Sequence, residues 1–360
     1  MKLGSAGHYT APASRVRQRA IRAEAVGWSS LWWPDAQMGY HPRPSPAFPD
    51  PHETYDWVPM LAVAADATER VDVGVAVTDP WRRHPALLAQ TAQTLQDLSE
   101  GRFKLGLGIG ALNNLNPIGL VGSSKIAALE EAVDIMQLLW STTEPVDFKG
   151  EFWTLQGAVL AIDATQHGAP QIWIGGAGPR SLDLTARKAD GWLPVMMPVE
   201  DYVDRLAQIR TIASTNGRKS DAVTAGALFL TIAADSVAHC RELLDTPWVR
   251  ALALFQPAVF FERLGYPHPL GPGASGVRDF IPTHVSIEEY REIVRDIPLD
   301  LVEHLVLWGD AERISGELDK YEAAGLEHAV LWNVTGIGEV SADEMRASYA
   351  TLSDVLAARC

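Results

Sequence analysis

Two glycine-rich segments have the residue types that bind a phosphate or admit a flat ligand. In the first, IWIGGAGP, an apolar stretch is followed by Gly175, Gly176, Ala177 and Gly178. These glycines leave backbone N–H groups exposed, Pro179 suits the first position of a helix, and Arg180 adds a positive charge. The segment therefore predicts an anion-binding turn before a helix, although an ordinary tight turn would also use such glycines.

The second segment, FKLGLGIGALNNLNPIG, has glycines at positions 106, 108 and 110. A dinucleotide fingerprint has the spacing G-x-G-x-x-G and opens a helix, with an acidic residue about 20 positions later. Here the glycines alternate, and residues 113–117 predict a loop instead of a helix. Alternating glycines at a strand end indicate that something flat or bulky approaches the backbone there.

Three polar side chains are candidates for proton transfer. Asp35 ends the strand-like segment SSLWWPD, and His8 follows the first strand-like segment. His268 lies in residues 266–282, whose many glycines and prolines predict an active-site loop without regular structure. Carboxyl and imidazole groups act as general acids and bases. For each histidine, a buried ring that is fully hydrogen-bonded is the alternative.

Other residues near strand ends allow two interpretations. Arg82, Arg83 and His84 precede a predicted helix, where they could contact a phosphate or form a solvated turn. The apolar residues, which indicate either a pocket for an apolar or flat ligand or simple core packing, are Trp81, Met196 and Met197. The sequence has no G-x-S-x-G, P-loop or H-E-x-x-H motif and no metal-ligand spacing. We therefore expect no metal and an organic cofactor.

Strand-like and helix-like segments alternate along the whole chain and would position these residues. The eight predicted strands are 2–7, 29–35, 71–79, 103–110, 171–175, 191–196, 223–232 and 326–334. Eight such repeats predict an α/β fold, a (β/α)8 TIM barrel, whose active site forms at the carboxyl ends of the strands. Insertions at 36–53, 112–122 and 247–300 are expected at that face. The insertion at 142–169 follows a helix and could be a lid or a dimer contact.

Composition limits the classes of partner. The chain has 360 residues, 47% of them hydrophobic, and a formal net charge of −15, which argues against nucleic-acid binding and attraction to anionic membranes. No apolar run approaches the roughly 20 residues of a membrane-spanning helix. The first residues lack a secretion signal, and two distant cysteines suggest no disulfide framework, so we expect a cytoplasmic protein that acts on a small molecule.

Taken together, these stretches resemble the bacterial-luciferase-like superfamily of flavin and deazaflavin barrels. The resemblance spans essentially the whole chain and rests on residues 26–35, 70–110, 128–140, 170–192 and 308–332. The chain is most similar to the branch that uses the deazaflavin coenzyme F420, and especially to the phthiodiolone ketoreductases. The resemblance implies a single luciferase-like domain over residues 1–360 and a homodimer.

The resemblance also implies a cofactor site. Val75 to Val77 would back the deazaflavin ring, with a non-prolyl cis peptide near Ala76–Val77. Residues 175–178 would bind the cofactor phosphate, Asp35 would lie close to the ring, and Gly108 and Gly110 would clear space for it. The cofactor-binding residues expected on this basis are Ala76, Val77, Thr78, Gly108, Gly110, Asn114, Gly175, Gly176, Ala177, Gly178 and Arg180.

Two positions depart from the related sugar-phosphate dehydrogenases, which carry a glutamate and a histidine where this chain has Ala111 and Ala36. A proton donor would then be His8, His268 or Asp35, by position. We expect a coenzyme F420-dependent oxidoreductase that transfers a hydride between the deazaflavin C5 and a carbonyl or polarised double bond of a mostly apolar small molecule. The alternatives are an FMN-dependent monooxygenase of the luciferase type and a cofactor-binding barrel without turnover.

Overall fold

Eight parallel strands close into a barrel in the computed structural model, which describes residues 1–7, 12–37, 42, 55–120, 122, 125–162, 164, 166–276, 280–338 and 340–359. In chain order, the strands of the described residues are β1 (Lys2–Ala6), β2 (Ser30–Trp33), β3 (Asp72–Thr78), β4 (Phe103–Leu107), β5 (Val146–Lys149), β6 (Thr154–Ala158), β7 (Gln171–Ile174), β8 (Gly191–Trp192), β9 (Thr224–Ala233), β10 (Leu307–Gly309) and β11 (His328–Asn333). The barrel order is β1, β2, β3, β4, β7, β8, β9, β11, and β11 pairs with β1 to close it. All eight predicted strands are present, which confirms the TIM barrel.

Helices connect the barrel strands. Those of the described residues are α1 (Val16–Val26), α2 (Trp57–Ala67), α3 (Pro85–Leu98), α4 (Leu112–Leu115), α5 (Ile126–Trp140), α6 (Pro179–Lys188), α7 (Val199–Thr215), α8 (Val237–Leu244), α9 (Pro247–Arg250), α10 (Ala258–Arg263), α11 (Ile287–Arg295), α12 (Leu299–Glu303), α13 (Ala311–Ala323) and α14 (Ala342–Ala357). Local signals start several of them: α11 and α14 begin with capping boxes, Ser286 with Glu289 and Ser341 with Glu344. In the part of the chain that the structure describes, no helix has the length and apolar character to cross a membrane.

The structure adds elements where the sequence predicts insertions or loops. Residues 142–169 contain the antiparallel hairpin of β5 and β6. Residues 113–117, predicted as a loop, fall in α4 and a following 3-10 turn, because Asn113, Asn114 and Leu115 are buried and tertiary packing overrides their local preference. The segment 247–300 follows α8 instead of a strand, and it contains α9, α10, α11 and the start of α12.

Large side chains fill the barrel from within. On β2, Trp32 points into the barrel, where its ring lies 5.5 Å from that of Trp173, while Trp33 packs in the cluster that includes α2 and α3. The interior also holds a polar chain: Trp32 Nε1 donates to Ser30 Oγ over 2.7 Å, and that hydroxyl bonds His328 Nε2 over 2.7 Å. These buried contacts occupy part of the barrel interior.

Candidate functional site

The carboxyl end of β3 carries a bulge that turns one valine toward its neighbours. Pairing with β4 shifts between Val75 and Thr78: three steps along β3 match two along β4, from Leu105 to Leu107. One residue is therefore extra, which is the definition of a bulge. The peptide bond between Ala76 and Val77 is cis. The bulge and the cis bond lie where the resemblance implies them.

Glycines just beyond the ends of β4 and β7 make room for the Val77 side chain. A Cβ built on Gly108 would lie 2.9 Å from Val77 Cγ2, and one on Gly175 would lie 3.1 Å from Val77 Cγ1. At Gly110, whose φ is +87°, a Cβ would lie 2.6 Å from Leu115 Cδ1. An added side chain at Gly108 or Gly110 would thus point toward Val77 or Leu115, and the expected role of these glycines in clearing space for a ring stays a prediction. Val77 itself is half-buried and lies at the carboxyl end of β3.

Asp35 lies in a charged cluster that connects the ends of β2 and β3. Its Oδ2 accepts a 2.6 Å hydrogen bond from Thr78 Oγ1, and its Oδ1 accepts one of 2.9 Å from Arg82 Nη1. Arg82 Nε donates to Asp79 Oδ2 over 2.6 Å, so one guanidinium joins two carboxylates. Burial raises the pKa of Asp35 above its ordinary value, although Arg82 and the Thr78 hydroxyl oppose that shift. The cluster therefore fixes the direction of the Asp35 carboxyl group.

The neighbouring residues of this segment also make internal contacts. Arg83 Nη2 donates to Asp56 Oδ2 over 2.5 Å, and its guanidinium lies 5.3 Å from the centre of the Trp57 ring. His84 Nδ1 accepts from the Ala86 N–H and caps α3. Both side chains therefore have structural partners, as does Arg82. Trp81 packs on Phe152 and Trp153, at the hairpin of β5 and β6.

The turn from β7 to α6 has the predicted form. Gly178 is the N-cap residue of α6 and Pro179 is its first residue, and among the described residues no side-chain cap hydrogen bond is found at this helix start. The turn is tight, since Trp192 Nε1 donates to Gly176 O over 2.9 Å and a Cβ on Gly176 would lie 2.5 Å from Ser181 Oγ. Exposed N–H groups at a helix N-terminus suit an anion.

A cavity of about 1480 Å³ opens beside this turn. It extends from the barrel mouth to the surface between α1 and α14. Its lining in the barrel mouth includes Gly175, Ala177, Leu228, Leu230, Phe255 and Trp332. Met196 and Met197 line it as well and also pack against the buried core, so both interpretations of these two residues apply. The segment 247–300 reaches it through Phe255 to Phe260, even though that segment follows a helix. Sequence reasoning missed Leu230 and Trp332, which a search of the ends of the seventh and eighth strands would have found.

The structure does not bring every candidate to this cavity. His268 is 4% exposed, its Nδ1 accepts from the Leu270 N–H, and its Nε2 bonds Gln256 O over 3.1 Å. Arg180 Nη2 donates to Glu130 Oε2 over 2.6 Å on an exposed surface. Neither is among the described residues that line the cavity, and Asp35 and Val77 are not among them either, whereas Gly175 and Ala177 are. Asn114 Oδ1 accepts from the Gln37 N–H, and His8 lies outside the described residues.

Comparison with known proteins gives the family. The model of the luciferase-like monooxygenases matches residues 1–328. The chain belongs to this family. A phthiodiolone/phenolphthiodiolone dimycocerosates ketoreductase of Mycobacterium kansasii is 30% identical over 335 residues, which cover 89% of this chain and 91% of that one. Family membership and such relatives make the protein an oxidoreductase.

Two solved structures share the fold. An F420-dependent secondary alcohol dehydrogenase in complex with an F420-acetone adduct superposes with a TM-score of 0.75 at 21% identity and covers 98% of both chains. The oxygenating constituent of 3,6-diketocamphane monooxygenase from Pseudomonas putida, in complex with FMN, has a TM-score of 0.67 at 17% identity, covering 99% of this chain and 96% of that one. At these identities the likeness concerns the fold alone.

Proposed function

We propose that the protein is a coenzyme F420-dependent oxidoreductase that acts on a carbonyl or polarised double bond of a mostly apolar small molecule. The observation that carries the proposal is the bulge at Ala76–Val77, which presents an apolar, half-buried valine at the barrel mouth next to the uncapped turn at 175–178. A flat ring on Val77 with an anionic tail at the turn fits that spacing of groups. The M. kansasii relative, named a ketoreductase, supports a carbonyl substrate.

The residues present fit such a cofactor. Ala76, Val77 and Thr78 would form the surface behind the ring, and residues 175–178 would receive its phosphate. Gly108 and Gly110 would act indirectly, by accepting Val77 and Leu115, while Asn114 and Arg180 stay predictions of the resemblance. When bound, the deazaflavin supplies or accepts a hydride at C5. The cavity of about 1480 Å³ leaves volume beyond the cofactor for an apolar substrate, which would be desolvated there.

Asp35 is the proposed proton donor to the carbonyl oxygen during reduction. It follows the end of barrel strand β2, and its burial favours the protonated form of the carboxyl group, while His8, which follows β1, lies outside the described residues. Thr78 and Arg82 orient the group from two sides. His268, by contrast, uses both ring nitrogens in contacts with the backbone of its own loop region. In the oxidation direction the Asp35 carboxylate would accept the alcohol proton.

FMN-dependent oxygenation is the second candidate function, because a solved FMN monooxygenase shares the fold over nearly the whole chain. Fluorescence titration of the purified protein with coenzyme F420, and separately with FMN, tests the two. We expect micromolar binding of the deazaflavin and much weaker binding of FMN, followed by ketone-dependent oxidation of the reduced deazaflavin. The reverse preference, with oxygen consumption in place of hydride transfer, would reject the proposal in favour of oxygenation.

A further inference from the structure

Two arginines and an aspartate lie where the cavity meets the turn at 175–178. Arg205, on α7, donates from Nε to the Ala177 carbonyl oxygen over 3.3 Å. Arg263, on α10, donates to both carboxylate oxygens of Asp201, over 2.6 and 3.3 Å. Asp201 Oδ2 also lies 3.6 Å from Arg205 Nη1. All three side chains border the cavity, and together they carry one net positive charge.

The guanidinium of Arg205 is held loosely enough to take another partner. Its Nη1 contacts are with Met197 Sδ at 3.8 Å, the Asp201 carbonyl oxygen at 3.3 Å and the Asp201 carboxylate at 3.6 Å, all long for a charged donor. About a third of the side chain is exposed. A phosphate in this part of the cavity would offer charge-assisted hydrogen bonds of the bidentate kind that arginine forms best.

The other cations near the turn are placed differently. Arg180 follows the turn in sequence, but it pairs with Glu130 and is not among the described residues lining the cavity. Arg22 and Arg346 line the cavity where it runs between α1 and α14. Arg205 is thus the cavity-lining arginine that touches the glycine turn itself through Ala177.

We propose that Arg205 binds the phosphate group of the cofactor, and that Asp201, itself bound by Arg263, holds Arg205 in position. The inference rests on the proposed function insofar as it needs a phosphate-bearing cofactor at the turn. Coenzyme F420 and FMN both carry a phosphate, so the role of Arg205 does not depend on which of the two is bound. The phosphate would lie between the Arg205 guanidinium and the N–H groups at the start of α6.

The test compares cofactors with and without the phosphate on one set of variants. Wild type, Arg205→Ala, Arg205→Lys, Arg180→Ala and Arg346→Ala are titrated by fluorescence with coenzyme F420, with FMN, and with their phosphate-free chromophores, the bare deazaflavin and riboflavin. Arg346→Ala is the matched control, since it removes the same charge from the far part of the cavity. Thermal melts establish that each variant folds.

We expect Arg205→Ala to weaken binding of the preferred phosphate-bearing cofactor by about ten- to one-hundred-fold, the range for a lost charge-assisted hydrogen bond. Binding of the phosphate-free chromophore should stay within about twofold, and Arg205→Lys, which keeps the charge, should recover part of the loss. Arg346→Ala should leave both unchanged. If Arg205→Ala does not fold, the test relies on Arg205→Lys. That variant should bind the phosphate-bearing cofactor more weakly than wild type, by a smaller factor, and should bind the phosphate-free chromophore as wild type does.

An equal loss for cofactors with and without phosphate would overturn the inference, because it would mark Arg205 as a support of the fold. A loss in Arg180→Ala with none in Arg205→Ala would overturn it in favour of the residue next to the turn. Neither result would contradict the proposed function, provided that wild type binds the deazaflavin. Failure of wild type to bind either phosphate-bearing cofactor would reject both.

Discussion

At the scale of single residues, Asp35 is a side chain whose pKa is set by opposing contacts. Burial favours the neutral acid, while the Thr78 hydroxyl and the Arg82 guanidinium favour the carboxylate, and burial outweighs them. Such a balance lets a neighbour adjust the pKa without changing the acid itself. Asp79 also binds Arg82, so the positive charge of that guanidinium is shared between two carboxylates and does not act on Asp35 only.

The role of Asp35 predicts a specific pH dependence of ketone reduction. Since the protonated acid would donate, the rate should be highest below the Asp35 pKa and fall as the pH rises through it. Asp35→Asn should lower kcat by about 10²- to 10⁴-fold, the usual contribution of a general acid. Thr78→Val removes a hydrogen bond that lowers the Asp35 pKa, so its falling limb should move to higher pH with the plateau retained. Profiles that coincide for wild type and Thr78→Val would contradict this role.

At the scale of secondary structure elements, the β3 bulge depends on glycines of β4 and of the segments that follow β4 and β7. A side chain at position 106 would meet the Val75 carbonyl oxygen at 2.0 Å, so the close approach of β4 to β3 requires glycine there. Gly108 and Gly175 then accept the Val77 methyl groups. The surface proposed to back the ring is therefore built by three elements together, and none of them would form it alone.

Two glycine-to-alanine substitutions should have opposite effects on stability. Gly106→Ala places a Cβ against backbone that cannot move freely, and we expect a loss of about 1–3 kcal/mol in the free energy of unfolding. Gly316→Ala is the matched comparison: this exposed position inside α13 has no atom near the added Cβ, so we expect a gain of about 0.5–1 kcal/mol. Urea unfolding of both variants measures the two changes, and equal signs would contradict the assignment of Gly106 to a close approach.

The elements also show how far sequence reasoning extends. The eight barrel strands and the turn at 175–178 could be predicted because apolar runs, glycine stops and Pro179 are local signals. The contact between Gly108 and Val77 could not be predicted from the sequence, because it depends on the bulge in β3 and on the pairing of β3 with β4. The position of His268 was equally hidden, because its hydrogen bonds come from backbone groups of its folded loop and of Gln256. No sequence motif marks Arg205, because its helix, α7, reaches the turn at 175–178 only in the folded barrel.

At the scale of the whole molecule, closure of the barrel joins distant parts of the chain. β1 pairs with β2 on one side and β11 on the other, and His328 of β11 contacts Ser30 of β2 inside the barrel. His328 is 2% exposed, and burial lowers its pKa to about 3. The His328 ring therefore stays neutral in the folded state at pH values near 6.5, where the same ring in the unfolded chain begins to take up a proton. A homodimer stays a prediction of the resemblance.

This buried histidine should make the fold sensitive to acid. The unfolded chain binds the His328 proton below about pH 6.5 and the folded barrel does not until about pH 3, so stability falls as the pH is lowered through that window. The loss should approach 1.4 kcal/mol per pH unit for this group. His328→Gln, which has no proton to take up, should show a smaller decrease in unfolding free energy between pH 7 and 4.5. At pH 8, where both side chains are neutral, the two proteins should differ only by the altered packing, and identical pH slopes would refute the effect.

The pairing of β1 with β11 also governs how the chain can fold while it is being made. β11 leaves the ribosome more than 300 residues after β1, so β1 spends nearly the whole of synthesis without one of its two neighbours. During that time the nascent chain has an open sheet edge whose N–H and C=O groups can pair with other chains. Release of a chain truncated before β11 would leave that edge permanently unpaired. For expression of the protein, we therefore expect this topology to cause aggregation more than slow folding.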